Sequence, residues 1–372
     1  MNNIINILHV STDEKFIDMA LKVFNDSRSS NNKLIVLSNN KNIKYIKYSQ
    51  KEILTKKEFY NLTKSYNFWK KIDIVIFHSL CTYDVYIPKN IKTIWLGFGY
   101  DYYDLIGNKY SFLGKKTKKA LKASLSIKEI ILSKLKSFFL YNLYKKIKKY
   151  RLIRNINYFC PVLLPEYNLI NWNKKYKPIL MDWNYGTLED DWAKLGNKYK
   201  ITGNNILLGN SATYSCNHIE GIDLLSTLNI KNENLIIPLS YGNKKYAEII
   251  KEYTIKNYSG KTIFLEDYMP FDEYSKLISS CSHVVMPHKR QQALGNILIL
   301  LYLGAKIFLD RENPIYSFMK KQGVIIYSLD DMTNLEFEST LTDEQVSINQ
   351  KILSKNWSKK VILEKTNELI RV

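Results

Sequence analysis

The stretch Pro287-His288-Lys289-Arg290-Gln291-Gln292-Ala293-Leu294-Gly295-Asn296 decides the fold class, together with Ile297–Leu303, Gly304, Lys306–Asp310 and Arg311-Glu312-Asn313-Pro314 behind it. Val284, Val285 and Met286 precede it, and the whole reads as strand end, polar loop, helix, strand and loop. Arg290, Gln291 and Gln292 are rich in side-chain N–H donors, and those of arginine form a rigid fork. Gly295 lets a backbone come close to a ligand, and Asn296 is expected to cap the apolar helix behind it. Unpaired N–H groups and the positive end of the helix dipole make such a start an anion site. In open α/β sheets, a donor-rich loop at the carboxyl end of a strand is where nucleotides bind. A plain βαβ turn with solvated polar residues fits the pattern as well, since neither GxGxxG nor GxxxxGK[ST] is present.

Upstream the alternation continues. Ile206-Leu207-Leu208 is a strand ending in Gly209-Asn210-Ser211, and Asn217-His218 opens a helix at Ile219–Leu225. Leu235–Leu239 is a strand ending in Ser240-Tyr241-Gly242, with a helix at Lys244–Tyr253, a strand at Lys261–Leu265 and a helix at Phe271–Ser280 after it. Small residues and hydroxyls at these strand ends suit a pyrophosphate, although each alone is also an ordinary tight turn. Three such ends on one sheet edge, with Arg290 among them, point to a nucleotide.

The first half repeats the theme. Ile4–Val10, Lys33–Leu37, Ile72–Phe77 and Lys92–Leu96 are short apolar strands, with helical spacing at Phe16–Phe24 and Lys56–Trp69. Short apolar strands separated by helices predict a parallel, doubly wound sheet. His9, Ser11, Asp13, His78, Asp101 and Asp104 then collect on one edge, as chemistry or as caps and turns. The chain of 372 residues exceeds what one core holds, roughly 250–300 residues, so two domains are expected to meet at a cleft. The polar stretch Lys174–Thr202 is taken as the crossing between them. The division is 1–180 as an N-terminal Rossmann-like, membrane-facing domain, 181–345 as a Rossmann-like nucleotide domain, and 346–372 as a helix packing back towards the first.

Composition excludes several classes. A hydrophobic content of 45% supports buried cores and rules out a disordered polymer. Cys81, Cys160, Cys216 and Cys281 are far apart without a CxxC, and read as thiols of a reduced compartment. The N-terminus reads as a first strand and not as a signal peptide, and no run of about 18 apolar residues predicts a membrane span. Net charge is +20, and Lys109–Arg154 alone carries thirteen lysines and two arginines against one acid, Glu129. Leu121, Leu125, Leu132, Leu135, Phe139, Leu143, Ile147 and Tyr150 have helical spacing there, with Phe138, Leu140 and Tyr141 beside them. A lysine-rich, apolar-faced helix suits an anionic membrane surface, and equally an amphipathic helix packed on its own domain. No helix-turn-helix, zinc-finger or RNP-type pattern accompanies it, so nucleic acid is not expected as a partner.

Two α/β halves with a nucleotide-type site in the second suggest a GT-B glycosyltransferase. Leu208-Gly209-Asn210-Ser211 and Ser215-x-Asn217-His218-Ile219 resemble the bacterial TDP-N-acetylfucosamine (Fuc4NAc):lipid II transferases of enterobacterial common antigen synthesis, a glycosyltransferase group 56 type. Phe271-Asp272-x-Tyr274, Arg290-Gln291-Gln292-x-x-Gly295 and Arg311-Glu312-Asn313-Pro314 are similar to that family too. So are Trp95-x-x-x-Gly99-x-Asp101-x-Tyr103 and the strand-end His78. The likeness runs from about Ile206 to Ser328 and is limited to short islands before that; Lys109–Arg154 and Ser240–Gly242 depart from it.

The resemblance implies an enzyme peripheral on the inner, cytoplasmic face of the bacterial plasma membrane. It would move a deoxy-amino sugar from a TDP-sugar to a lipid-pyrophosphate-linked or saccharide acceptor, with inversion. Gly209, Asn210, Ser211, Asn217, His218, Ser240 and Tyr241 would line the sugar-donor site with Arg290, Gln291, Gln292, Gly295, Asn296 and Asn313, and Glu312 would hold ribose or sugar hydroxyls. Inverting transfer needs one general base, for which Asp101 is the first choice and His78 the second. GT-B enzymes meet the leaving pyrophosphate with a helix start and cationic side chains, so neither metal nor cofactor is expected. Asp190-Asp191 and Asp330-Asp331 lie in polar stretches and not at strand ends. A nucleotide-sugar-binding or anionic-polymer-binding protein without turnover is the alternative.

Overall fold

The computed structural model describes residues 4–27, 30–80, 85–108, 110–125, 136–192, 200–230 and 233–372. The chain divides into two compact units, each built on one parallel sheet. The first comprises Met1–Ile106, Lys128–Thr187 and Trp357–Val372, and the second Gly107–Ile127 and Leu188–Asn356. Cys81, Leu132 and Leu135 lie outside the described residues.

In the first unit β1 (Ile5–Ser11), β2 (Ser30–Leu37), β3 (Lys51–Leu54), β4 (Ile74–His78), β5 (Lys92–Leu96), β6 (Tyr158–Cys160) and β7 (Ile179–Leu180) pair in the order β3-β2-β1-β4-β5-β6-β7. Every pairing is parallel. The central strands are buried on both faces, which is why they read as continuous apolar runs. Ile7, Phe24, Ile76, Ile94, Trp183 and Leu369 form a core in which the Trp183 indole N–H donates to Thr366 Oγ1 at 2.8 Å.

In the second unit β8 (Asn205–Leu208), β9 (Leu235–Pro238), β10 (Thr262–Leu265), β11 (Cys281–Met286), β12 (Lys306–Leu309) and β13 (Tyr327–Ser328) pair in parallel in the order β10-β9-β8-β11-β12-β13. Both sheets therefore reverse strand order once, between β1 and β4 and between β8 and β11. Ligands of doubly wound folds bind outside the carboxyl ends of the strands at that point.

The units differ from the expected division in three places. The helix Lys115–Ser124 belongs to the second unit, because the Glu220 carboxylate sits at its start. Glu220 Oε1 accepts from the N–H groups of Lys116 and Thr117 at 2.9 and 3.0 Å, a negative charge placed at the positive end of the helix. Lys116 also pairs with Asp223, so this helix is packed on its own unit and is not continuous with the basic helix Lys136–Ile153 of the first. At the C-terminus the returning element starts at Trp357 and not at residue 346, since the helix Asp343–Trp357 belongs to the second unit up to Asn356. There Asn349 exchanges hydrogen bonds with the backbone of Ile325 at 2.7 and 3.1 Å. Finally, Lys174–Thr202 is not one crossing, because β7 lies within it as a sheet strand and the unit boundary falls at Leu188.

Candidate active site

At the β1–β4 reversal of the first sheet, a file of buried polar groups crosses from the start of β2 through the middle of β1 to the carboxyl end of β4. Asn32 Nδ2 donates to Asn25 Oδ1 and Ser30 Oγ, which leaves Asn32 Oδ1 to accept from His9 Nε2 at 3.0 Å. His9 Nδ1 must then accept from His78 Nε2 at 2.9 Å, and His78 Nδ1 accepts the Tyr185 hydroxyl proton at 2.8 Å. Burial lowers His9 to about 4, and burial together with the adjoining His9 ring holds His78 well below the usual imidazole range. Both imidazoles are therefore neutral at pH 7.

Asp101 is buried, and both of its oxygens are engaged. Oδ2 accepts from the Leu80 N–H at 2.9 Å and the Trp95 indole N–H at 2.7 Å, and Oδ1 from the Phe98 N–H at 2.8 Å. Burial raises its pKa against these three bonds. The Gly97–Gly99 turn thus folds the carboxylate back onto Trp95 rather than presenting it outward. Asp13 is used in the same way, accepting from the N–H groups of Lys44, Tyr45 and Ile46. Asp104 pairs with the buried Lys149.

Glu14, which carries no motif in the sequence, is a half-buried carboxylate at this edge. Its Oε1 accepts from Tyr100 Oη at 2.7 Å and from Thr12 Oγ1 at 3.0 Å, and Tyr100 also reaches Ser79 Oγ at 3.1 Å. Ser79 takes a left-handed φ of 63° directly after β4, an uncommon conformation for a non-glycine residue and one found at functional edges. The signal for Glu14 is its place, three residues past the end of β1 at the point where strand order reverses.

In the second sheet, the loops after β8, β9 and β11 come together around Gln292. Gln292 Nε2 donates to Asn210 Oδ1 at 2.8 Å and to Thr213 Oγ1 at 3.1 Å, and lies 3.1 Å from Cys216 Sγ, while Ser215 Oγ donates to its Oε1 at 2.7 Å. Asn210 Nδ2 donates to Tyr241 Oη at 3.0 Å, and Ala212 pairs with Gly242. Gly209 has φ +67°, and a Cβ there would lie 2.6 Å from His218 Nε2. His218 is lowered to about 4 by burial, and its Nε2 makes no hydrogen bond among the described residues. His288 is buried beside Cys216, whose thiol this neighbouring ring draws well below the usual thiol range. Buried polar atoms without partners are rare and call for a specific reason, such as a ligand site.

The other expected residues have different work. Asn217 is consumed by structure: its Oδ1 accepts from the Gly114 N–H, and its Nδ2 donates to the carbonyls of Phe112 and Pro287. Asn313 caps the helix Pro314–Lys321 through the Ile315 N–H and donates to the His288 carbonyl at 2.8 Å. Asn296 is not a cap, since the helix begins at Leu294 behind Ala293 in a left-handed conformation; its amide donates to Tyr274 Oη. A Cβ on Gly295 would meet the Trp192 ring at 2.6 Å, so that close approach is helix–aromatic packing. Glu312 pairs with Lys289 at 2.5 Å. Arg290 is half-buried and Gln291 buried, both in the loop that leads to the helix Leu294–Leu303, and Ser240 stands at the end of β9. Among the described residues no group of three His, Cys, Asp or Glu side chains is arranged to hold a metal ion.

Two parallel sheets of this topology are those of the GT-B fold. Solved structures share the fold along nearly the whole chain. Sucrose-phosphate synthase from Thermosynechococcus elongatus matches at a TM-score of 0.62 and 10% identity, over 99% of this chain and 98% of that one. HepE from Anabaena, solved with UDP and glucose, matches at 0.56 and 10% over 99% of both chains. A glycosyltransferase from Rickettsia africae matches at 0.59 and 12%, over 99% and 98%. Residues 168–355, half of the chain, match the family described as 4-alpha-L-fucosyltransferase glycosyl transferase group 56. The chain belongs to that family and is a glycosyltransferase.

Proposed function

We propose that this glycosyltransferase is an inverting enzyme that moves a deoxy-amino sugar of the Fuc4NAc type from a TDP-sugar to a lipid-pyrophosphate-linked or saccharide acceptor. The observation that carries the reading is the knot around Gln292 at the β8–β11 reversal, which holds three strand-end loops in one place. The diphosphate rests against the Gly209–Ser211 turn and the start of the helix Leu294–Leu303, with Arg290 and the helix dipole facing its charge. These positive groups take the role that a metal plays in other transferases, and the reaction runs without one. The enzyme works at the cytoplasmic face of the membrane as a peripheral protein; among the described residues no helix is long and apolar enough to cross a bilayer.

In the chemical step the acceptor hydroxyl attacks the anomeric carbon, the bond to the diphosphate oxygen breaks, and the hydroxyl proton passes to a base. We assign that base to Glu14, whose carboxylate is held by Tyr100 and Thr12 at the β1–β4 reversal. Asp101 then positions the turn after β5, since three N–H groups already claim its oxygens. His78 orients Tyr185 at the same edge. Differential scanning fluorimetry against a panel of nucleotide sugars tests the reading: TDP-sugars should stabilise the protein, and Arg290→Ala should abolish the shift. Equal stabilisation by UDP- and GDP-sugars would remove the TDP assignment.

A further inference from the structure

The first unit carries a second concavity that the sugar-donor and base assignments do not use. It is a cavity of about 580 Å³ between the C-terminal half of the helix Lys136–Ile153 and the loop at residues 171–176. Ile147, Tyr150, Arg151, Arg154, Trp172 and Tyr176 line it. Its size suits a headgroup-sized ligand, since small-molecule sites run to roughly 300–1,000 Å³.

The walls are preset. The Trp172 indole N–H donates to the Tyr167 carbonyl at 2.8 Å, and the Arg154 guanidinium lies over the Tyr176 ring at 4.6 Å. Among the described residues neither Arg151 nor Arg154 is in an ion pair, and both are exposed. The nearby acids are already occupied: Asp104 is paired with Lys149, and Glu166 is buried under the hydroxyls of Tyr102 and Tyr103. Two unneutralised guanidinium forks beside aromatic rings match phosphate oxygens bidentately, which a point charge cannot do.

The helix also says which phosphate. Leu143, Tyr144 and Ile147 are 44%, 54% and 44% exposed, and they lie on the same helical face as Arg151 and Arg154 by their spacing of three and four. Lys145 and Lys146 flank them, exposed, and Lys174, Lys175 and Lys177 rim the loop side. Apolar side chains standing out of a cationic helix favour the boundary of an anionic bilayer. A soluble anion needs the arginines but not the apolar face; a phosphate carried by a membrane lipid uses both.

We infer that this cavity binds the pyrophosphate headgroup of a membrane lipid, with Arg151 and Arg154 on the phosphate oxygens and Leu143, Tyr144 and Ile147 at the bilayer surface. That this lipid is the acceptor rests on the proposed function; the binding itself does not.

Vesicle flotation separates the possibilities. Phosphatidylcholine vesicles doped with polyprenyl pyrophosphate are compared with vesicles doped with phosphatidylglycerol to the same surface potential. The wild-type chain should bind the pyrophosphate vesicles roughly tenfold more tightly or better, the effect of a pair of charge-assisted contacts. Arg151→Gln/Arg154→Gln should erase that preference while retaining phosphatidylglycerol binding, the melting temperature and the thermal shift with TDP-sugar. Equal binding to the two vesicle types by the wild type, or a preference that survives the double substitution, overturns the inference. Vesicle preference without any nucleotide-sugar shift would instead leave the cavity standing and sink the TDP-sugar donor reading.

Discussion

Gly209→Ala probes the turn on which the proposed sugar-donor site is built. The turn takes φ +67°, a conformation that costs an L-residue about 1–2 kcal/mol. The new methyl group would also lie 2.6 Å from His218 Nε2 and 3.0 Å from its Cδ2, closer than a Cβ tolerates. His218 is fully buried beside Tyr246, with ring centroids 5.7 Å apart, so it yields only by disturbing the core. Overpacking of that kind adds about 1–3 kcal/mol, for a total of about 2–5 kcal/mol. The two contributions separate in a double-mutant cycle. In a His218→Ala background the contact is gone and only the backbone strain of about 1–2 kcal/mol remains, giving a coupling of about 1–3 kcal/mol. Urea unfolding of the four proteins measures it, and titration with TDP reports whether the turn still receives a diphosphate. Equal costs of Gly209→Ala in both backgrounds would refute the idea that His218 confines the turn.

Glu14→Gln should lower turnover about 10²–10⁴-fold with melting temperature and TDP affinity unchanged; activity within a few-fold of wild type would remove Glu14 as the base. Asp101→Asn should do the reverse, placing an NH₂ group among three N–H donors and costing about 1–3 kcal/mol of stability, read as a fall in melting temperature. Arg290→Ala should weaken TDP binding by about 1.5–3 kcal/mol, measured calorimetrically, and an unchanged affinity would count against its place at the diphosphate. Stability should fall as pH drops from about 6.5 towards 4, because His9 and His218 stay neutral in the fold down to about 4 while the unfolded chain takes up their protons from about 6.5. The difference is on the order of 3 kcal/mol per histidine when fully developed, and His9→Gln should flatten the melting-temperature profile across that window.

The central strands were legible because strands buried on both faces spell apolar runs, as β4, β5, β8, β9, β11 and β12 do. The strands β6, β7 and β13 are two or three residues long and leave no period to read, and β3 is an edge strand with a charged pair, Lys51-Glu52. The helix Lys115–Ser124 shows a different limit. Its lysines look like a membrane face, but its place is decided by Glu220, a residue about a hundred positions away.

The site was legible by location and not by role. Every polar residue singled out stands near a strand end or a helix start, as the alternation requires, but polarity at such places serves two ends that look alike in sequence. Asp13 and Glu14 are adjacent carboxylates on one loop; Asp13 is taken by three N–H groups more than thirty residues away, whereas Glu14 is held by two hydroxyls that leave it half-buried at the edge. Asn210 and Asn217 both come after β8, yet the amide of Asn210 joins three loops at the reversal point while that of Asn217 closes the backbone of Gly114, Phe112 and Pro287. Buried backbone groups must find partners, so a loop-rich edge consumes many of its own polar side chains before any ligand arrives. The residues that carry chemistry are those left with capacity once that demand is met, and this accounting depends on contacts between segments far apart in the chain. On that ground we propose Glu14 rather than Asp101 as the base.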